Sequence, residues 1–142
     1  MGQYRVKRTH LPHGSREPDL GAPRTQIYYP RTGRLSPGTV LNKKRFKLSK
    51  AVVALKDGRL LIAGGADQPE VYDPDSDVFV PVGDAKLDGF CFSTATLLID
   101  GRVLLAGGYA RPGGEAVNHV WLYQPQTMRN PWVRIVTACS DR

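Results

Sequence analysis

Few side chains in this sequence are of the types that carry chemistry. The 142 residues include two cysteines, Cys91 and Cys139, and no Cys-x-x-Cys pair or nearby histidine completes the ligand set of a zinc site. Phe90 and Phe92 flank Cys91 at the start of an apolar run, which favours a buried, inert thiol. A disulfide between Cys91 and Cys139 is the alternative. The cysteines therefore indicate neither a metal centre nor a nucleophile.

Histidines and carboxylates add little to this set. His10 and His13 stand three residues apart in a polar segment, and His119 is expected at the edge of a strand. The Asp-x-Asp-x-Asp series that starts at Asp73 resembles the beginning of a calcium-binding loop, but the glycine and the distal glutamate of such a loop are missing. Asp and Ser in this pattern are also typical of tight turns. We therefore predict a turn there, no catalytic residue, no metal site and no cofactor.

The elements that would position any site are repeated along the chain. The stretch 51–65 recurs as 94–108, so that Asp57 reappears 43 residues later as Asp100. Both copies contain Asp-Gly-Arg, and each ends on a glycine pair, Gly64–Gly65 in the first and Gly107–Gly108 in the second. A fixed period of about 20 to 50 residues is typical of repeat architectures. The sequence therefore predicts several copies of one small structural unit.

Each copy contains the signals of four short strands. Two apolar runs flank Asp-Gly, which is typical of a two-residue type I′ hairpin turn because both central positions need positive φ. The glycine pair predicts close backbone approach or positive φ where the chain leaves the sheet. A third run ends on Tyr-x-Pro, and a fourth carries an aromatic side chain. The residues concerned are Tyr72 with Phe79 and Tyr123 with Trp132. Four antiparallel strands in about 40 to 50 residues are typical of a propeller blade.

A partial third copy lies upstream of these two. Tyr28 stands 44 residues before Tyr72, but no Asp-Gly or Gly-Gly pair precedes it. Residues 25–40 are therefore expected to form the last two strands of a blade. The predicted organisation is a basic disordered arm at 1–24, this half blade at 25–45, full blades at 46–88 and 89–136, and a tail at 137–142.

The landmarks of the two full copies resemble kelch repeats. The glycine pairs, the spaced aromatics and the Asp-Gly-Arg-Val-Leu-x-Ala-Gly-Gly form of 100–108 are similar to those of bacterial kelch and galactose-oxidase-like propellers. Phe79 stands where the family usually has tryptophan, and Trp132 follows a longer turn. WD-type repeats are not favoured, because no Gly-His or Trp-Asp pair occurs. The resemblance implies an all-β fold, a partial β-propeller of four-stranded antiparallel blades with an incomplete ring.

An incomplete ring leaves an apolar blade face uncovered at each end. Propellers of this kind close with about six or seven blades, whereas this chain holds about two and a half. If six to eight side chains on each face remain exposed to water, at about 1.5–3 kcal/mol each, the hydrophobic stabilisation lost is of order 10 kcal/mol. That rivals the whole stability of a typical domain, about 5–15 kcal/mol. Three expectations follow: a fragment of a longer propeller, an arc completed by self-association, or a degenerate remnant.

Positive charge is concentrated in the first third of the chain. Lys and Arg outnumber Asp and Glu by ten in residues 1–50, whereas acidic residues exceed basic ones by three in the remainder. Basic arms can bind nucleic acid or anionic membranes, but the few aromatics here make a solvated arm the favoured interpretation and nucleic acid an unlikely partner. No apolar run is long enough for a membrane helix or a secretory signal. We expect a cytoplasmic location if Met1 is the true start.

Loops on one side of the blades are the expected binding surface. In an antiparallel meander, the loops between strands two and three emerge on the same side as those that join consecutive blades. The second of these loops is the longer, since Gly108 to Tyr123 spans 15 positions against 7 from Gly65 to Tyr72. The predicted contacts are Tyr109, Arg111 and Glu115, with Asp67, Lys44 and Arg45 on the same side. An insertion tolerated because it is exposed is the alternative.

These features predict a binding module for a protein or a carbohydrate, with no catalysis of its own. The alternative is a non-catalytic portion of a galactose-oxidase-like carbohydrate oxidase. The resemblance implies that such an oxidase holds copper through two Tyr and two His, with a Cys crosslinked to one Tyr. Residues 25–136 offer only Cys91 and His119 for those roles beside tyrosines, and Tyr72 and Tyr123 are expected to pack between blades.

Overall fold

The described part of the chain consists of β-strands and connecting turns. A computed structural model describes residues 24–45, 48, 50–83, 91–110, 113–125 and 132–135. The predicted tail, almost all of the predicted arm, Arg111 and Cys139 lie outside these residues. No described segment forms a helix long and apolar enough to cross a membrane.

In the described residues, ten strands form three antiparallel sheets. Sheet one pairs β1 with β2, sheet two has the order β3-β4-β5-β6, and sheet three has the order β7-β8-β9-β10. Each sheet is therefore a meander in which consecutive strands are neighbours. The strands are β1 (Arg24–Tyr29), β2 (Arg34–Val40), β3 (Val52–Ala54), β4 (Leu60–Ile62), β5 (Glu70–Asp73), β6 (Val78–Pro81), β7 (Thr94–Leu97), β8 (Val103–Ala106), β9 (Val120–Tyr123) and β10 (Trp132–Ile135).

The two Asp-Gly-Arg turns are built identically. The Gly58 amide donates to the Leu55 carbonyl at 3.1 Å and the Leu55 amide donates to the Arg59 carbonyl at 2.8 Å, while the Asp57 carboxylate accepts from the Arg59 amide and guanidinium. The same four contacts recur between residues 98 and 102. Of the loop residues only the glycine has positive φ, +89° in both copies. The predicted two-residue type I′ turn is therefore wrong: the loop has three residues, a type I turn followed by a glycine bulge.

The glycine pairs behave as predicted. Gly65 and Gly107 have φ of +79° and +67° where the chain leaves β4 and β8. Gly108, with φ of +101°, also passes close to the chain that enters β7: a Cβ there would lie 2.6 Å from the Cys91 carbonyl oxygen and 3.0 Å from the Ser93 nitrogen. Any side chain at Gly108 would therefore collide with backbone.

Sheets two and three bury their facing sides against each other. Val53, Leu61 and Val71 are paired across sheet two and so share one face. That face packs in one cluster with Val103, Leu105 and Tyr123 of sheet three. Both sides are strands of β-branched, Leu or aromatic residues, the composition that fits a pleated buried surface.

The inner strands of the two sheets run side by side. A parallel bridge joins Lys50 to Thr94 just before β3 and at the start of β7, and the Ala95 amide donates to the Lys50 carbonyl at 2.8 Å. At the opposite end of these strands the Lys56 ammonium donates to the Ile99 carbonyl. Parallel inner strands from successive meanders are the arrangement of neighbouring propeller blades. For the described residues, the all-β prediction of a partial β-propeller is confirmed.

The remaining landmarks stabilise the turns. The Tyr72 ring lies 4.8 Å from that of Phe79, and its hydroxyl donates to the Asp77 carboxylate at 2.8 Å. The Asp73 carboxylate accepts from the Asp75 amide at 2.9 Å. The Asp series is thus the predicted turn, and the carboxylates of Asp73 and Asp77 accept local hydrogen bonds. Tyr123 is buried in the cluster between sheets, as predicted.

We expect Gly108→Ala to destabilise the chain far more than Gly58→Ala. Both glycines have nearly equal positive φ, but only at Gly108 would the new Cβ meet backbone. The strain of positive φ alone costs about 1–2 kcal/mol, whereas the added collision should bring Gly108→Ala to about 3 kcal/mol or more. Urea unfolding followed by circular dichroism measures both. Equal losses for the two variants would contradict the close approach.

The Asp-Gly-Arg turns should make stability fall in acid. Hydrogen bonds from Arg59 and Arg102 hold the pKa of Asp57 and that of Asp100 below the ordinary value of 3.8. Because the folded-state pKa is the lower one, this stabilisation is present above the unfolded pKa and is lost as pH falls through the folded pKa.

Comparing urea midpoints from about pH 5 to pH 2 tests this expectation. The double variant Asp57→Asn/Asp100→Asn should show a shallower loss than the unmodified chain, and added salt should reduce the difference because both pairs are exposed. Identical pH profiles for the two proteins would show that the turn carboxylates contribute nothing.

Candidate functional site

The loops that were expected to bind a partner meet at one end of the strands. Because each sheet is an antiparallel meander, the β2–β3, β4–β5, β6–β7 and β8–β9 connections lie at the same end, which we call the loop face. The tight turns lie at the other end. Tyr109, Glu115, Asp67 and Lys44 all belong to loop-face connections. Arg111, the remaining predicted contact of the long loop, lies outside the described residues.

The long β8–β9 connection forms a small ribbon of its own. Its two sides are joined by the bridge between Tyr109 and Ala116 and by hydrogen bonds of 2.9 Å from Ala110 to Glu115 and from Val117 to Gly108. Tyr109 is also bridged to Cys91 through two backbone hydrogen bonds of 2.9 and 3.1 Å. The backbone of Tyr109 is therefore held on both sides, which fixes where its side chain starts.

Phe92 and Tyr109 present an aromatic pair to solvent at this point. Their ring centroids are 6.4 Å apart at an interplanar angle of 82°, and 49% of Phe92 and 48% of Tyr109 is exposed. Phe92 has a φ of +60°, which is uncommon for a bulky residue. Cys91 beside it is buried, as predicted. The strained backbone thus places the thiol inside and the Phe92 ring outside.

Phe92 was missed in the sequence although a signal was present. In the triplet Phe-Cys-Phe, burial of the thiol at the start of a strand predicts that the adjacent side chains point toward solvent. What the sequence did not contain was any sign that Tyr109 would lie beside it, because that contact depends on the bridge between two loops.

The other predicted contacts lie at different places on the loop face. Glu115 is exposed, and it stands opposite Ala110 in the ribbon, one position away from the Tyr109–Ala116 pair. Side chains alternate along such a ribbon, so Glu115 and Tyr109 leave it on opposite sides. Lys44 is exposed, and Asp67 forms a 3.6 Å ion pair with Lys43. The structure therefore does not gather the predicted residues into one cluster.

Arg45 differs from the exposed position that we expected. Its side chain is 1% exposed and its guanidinium lies 2.9 Å from the carboxylate of Glu70, which is itself fully buried. A second hydrogen bond joins Arg45 to the Gly64 carbonyl at 2.9 Å. Burial lowers the pKa of Arg45, against the opposing attraction of Glu70. Arg45 therefore offers no charge to a partner and serves the fold instead.

Glu70 is the centre of this buried network. Besides Arg45, its carboxylate accepts the backbone amides of Asn42 and Lys43, each at 3.0 Å, and the Asn42 side-chain amide at 3.3 Å. The segment from 42 to 45 is thereby tied to the start of β5. A buried carboxylate is tolerated when it is paired and hydrogen-bonded in this way.

Comparison with known proteins gives a fold likeness only. A fungal alcohol oxidase of the AA5 family, solved in complex with copper, matches with a TM-score of 0.58 and 20% sequence identity. The match covers 78% of this chain and 23% of that chain, so this chain spans less than a quarter of the oxidase's length. No family model matches the sequence, and no curated protein matches it.

The described residues do not fit the copper site implied by that likeness. Tyr72 donates its hydroxyl to Asp77, Tyr123 is buried between sheets, and His119 directly precedes β9. Within the described ranges no group of three or more His, Cys, Asp or Glu is placed to hold a metal ion. We derive no reaction step through copper for this chain.

Breaking the Glu70 network should be costly. We expect Glu70→Gln to lower the free energy of unfolding by about 3–5 kcal/mol, because it leaves the Arg45 guanidinium buried without its counter-charge. The exposed ion pair between Asp57 and Arg59 is the matched control, and Asp57→Asn should cost about 0–1 kcal/mol.

A double-mutant cycle separates the interaction energy between Arg45 and Glu70 from the loss of packing that each substitution causes by itself. Arg45→Met alone and Glu70→Gln alone should each destabilise, and the double variant should lose less than the two single losses combined. Additive losses would show that Arg45 and Glu70 act independently and would contradict the network.

Proposed function

We propose that this chain is a segment of a kelch-type β-propeller that works as a binding module for a protein or a carbohydrate. The repeated glycine pairs at Gly64 and Gly107 and the aromatic partners Tyr72 and Phe79 support the kelch assignment. The likeness to the oxidase supports the propeller fold. The loop face supports binding, since loops positioned by a rigid scaffold are where recognition usually occurs.

The observation that carries this proposal is the exposed pair of Phe92 and Tyr109. About half of the surface of each of these two residues is exposed to solvent, and the backbone of Phe92 has positive φ. A backbone conformation of this kind costs of order 1–3 kcal/mol and is commonly kept where it serves a function. Aromatic side chains also dominate the energetics of interfaces, because each contributes a large rigid contact area.

The proposed contact surface is centred on these two rings. Asp67, Lys44 and Glu115 stand elsewhere on the loop face, where charged groups select a partner more than they add affinity. Arg111 belongs to the same connection and remains a proposed contact. Completion of the arc by self-association is compatible with this function, because the loop face is not the face on which sheets pack.

A second candidate is a non-catalytic portion of a galactose-oxidase-like oxidase, which the likeness to the alcohol oxidase favours. Neither candidate assigns catalysis to this chain. Hydrogen peroxide formation by the folded chain with copper and a sugar alcohol would therefore contradict both, whereas binding of a ligand by the chain alone would favour the binding module.

We expect Phe92→Ala and Tyr109→Ala each to weaken ligand binding by at least tenfold, since truncating an aromatic anchor typically costs about 2 kcal/mol or more. The probes are a displayed library of linear peptides and a carbohydrate array, both applied to the full chain. Affinities of the selected ligands are then measured for each variant by calorimetry.

Ile99→Ser is the matched control for these variants. Ile99 is an exposed apolar residue, 96% accessible, but it lies in the turn at the opposite end of β7 from Phe92. It should leave affinity unchanged. Ligands that bind all three variants equally, or that lose affinity only with Ile99→Ser, would place recognition outside the aromatic pair.

A further inference from the structure

Sheet one has the strand pairing of the outer half of sheet two. Tyr28 lies opposite Leu35 in sheet one as Tyr72 lies opposite Phe79 in sheet two. The pairs from Gln26–Pro37 to Tyr29–Arg34 all recur in sheet two after a shift of 44 residues. β1 and β2 therefore correspond to β5 and β6, the third and fourth strands of a meander.

One edge of β1 lacks the partner that β5 has. In sheet two, β5 pairs with β4 as well as with β6, through Leu60–Tyr72, Leu61–Val71 and Ile62–Glu70. Among the described strands β1 pairs with β2 alone. The edge of β1 that would meet the counterpart of β4 therefore has no pairing strand among the described residues. An edge of this kind is a template for another strand.

An apolar cavity lies beside that edge. It has a volume of about 50 Å³, with Thr25 and Ile27 of β1 on one side and Val52, Leu60 and Ile62 of sheet two on another. Val52 and Ile62 are paired with each other and belong to the face of sheet two opposite the one that packs on sheet three. A complete sheet one would also have counterparts of β3 and β4. The cavity is where those two strands would place their side chains.

We propose that the free edge of β1 and this cavity form a docking site for an extended two-stranded apolar hairpin, the inner half of a blade, supplied by another polypeptide segment. The hairpin adds to sheet one by pairing with β1, a known mode of peptide recognition. This site goes beyond the proposed function, because it lies between sheets and not on the loop face.

The packing of sheets two and three defines the chemistry of the partner. There the inner hairpin β3–β4 directs Val53 and Leu61 onto the neighbouring sheet, while Leu60 and Ile62 point to the other face. A hairpin docked on β1 would turn the counterparts of Val53 and Leu61 toward Val52 and Ile62. The partner should therefore carry aliphatic residues at those alternate positions.

A synthetic peptide with the sequence of residues 51–64 is the probe, since it supplies a hairpin of the required pattern. We expect it to bind the unmodified full chain in calorimetry, and to slow amide hydrogen exchange in residues 24–29. Because only the peptide is varied, the fold of the protein is not at risk.

Two substituted peptides distinguish docking at this site from nonspecific hydrophobic association. Leu61→Asp in the peptide places a charge against the cavity and should weaken binding at least tenfold. Leu60→Asp puts the same charge one residue away on the opposite face of the hairpin and should leave binding within about twofold of the parent peptide.

Three results would overturn the proposal. The first is failure of the parent peptide to bind, even if benzene raises the melting temperature by filling the cavity. The second is equal binding of both substituted peptides. The third is slowed exchange in β6 or β10 without any in β1, which would place the peptide on another edge.

Discussion

The carboxylate of Glu70 is the group on which the arrangement of the first two sheets depends. A buried carboxylate costs several kcal/mol unless hydrogen bonds and a counter-charge offset it. Here backbone amides, an asparagine side chain and a guanidinium all converge on it, and all come from one connector of four residues. Asn42 also donates to the Phe79 carbonyl at 2.9 Å, which joins the connector to the outer strand of sheet two. The connector that leaves sheet one is thus held against sheet two by one buried charge.

The fold could be predicted because its signals are local and occur twice. Strands β3 to β6 and β7 to β9 lie where the apolar runs, glycine pairs and Tyr-x-Pro ends indicated. The turn type was not predictable from Asp-Gly alone, since that dipeptide suits more than one hairpin loop. The hydrogen bond from the Leu55 amide to the Arg59 carbonyl leaves three residues in the loop, and the Asp57 carboxylate accepts from the Arg59 amide, so a bulged turn forms. The turn type is therefore determined by the pairing between strands and not by the Asp-Gly dipeptide alone.

The site was predictable only where loop length carried the information. Tyr109 stood out because its loop is longer than the equivalent one, and the structure does expose it. The burial of Arg45 depends on Glu70, 25 residues further along and in a strand otherwise expected to be apolar. The positive φ of Phe92 occurs where residues 91–93 pass close to Gly108 and where Phe92 contacts Tyr109, and both are tertiary contacts. Features that depend on contact between two segments distant in the chain could not be predicted from the sequence.

The inner strands β3 and β7 are fastened to each other at both ends. The parallel bridge from Lys50 to Thr94 fastens the end near the loop face, and the Lys56 contact to the Ile99 carbonyl fastens the turn end. These two contacts oppose a hinge motion that would separate sheets two and three at either end. In the proposed binding module, a ligand that contacts Phe92 and Tyr109 would therefore meet rings carried by two sheets that are already joined, which lowers the ordering entropy lost on binding.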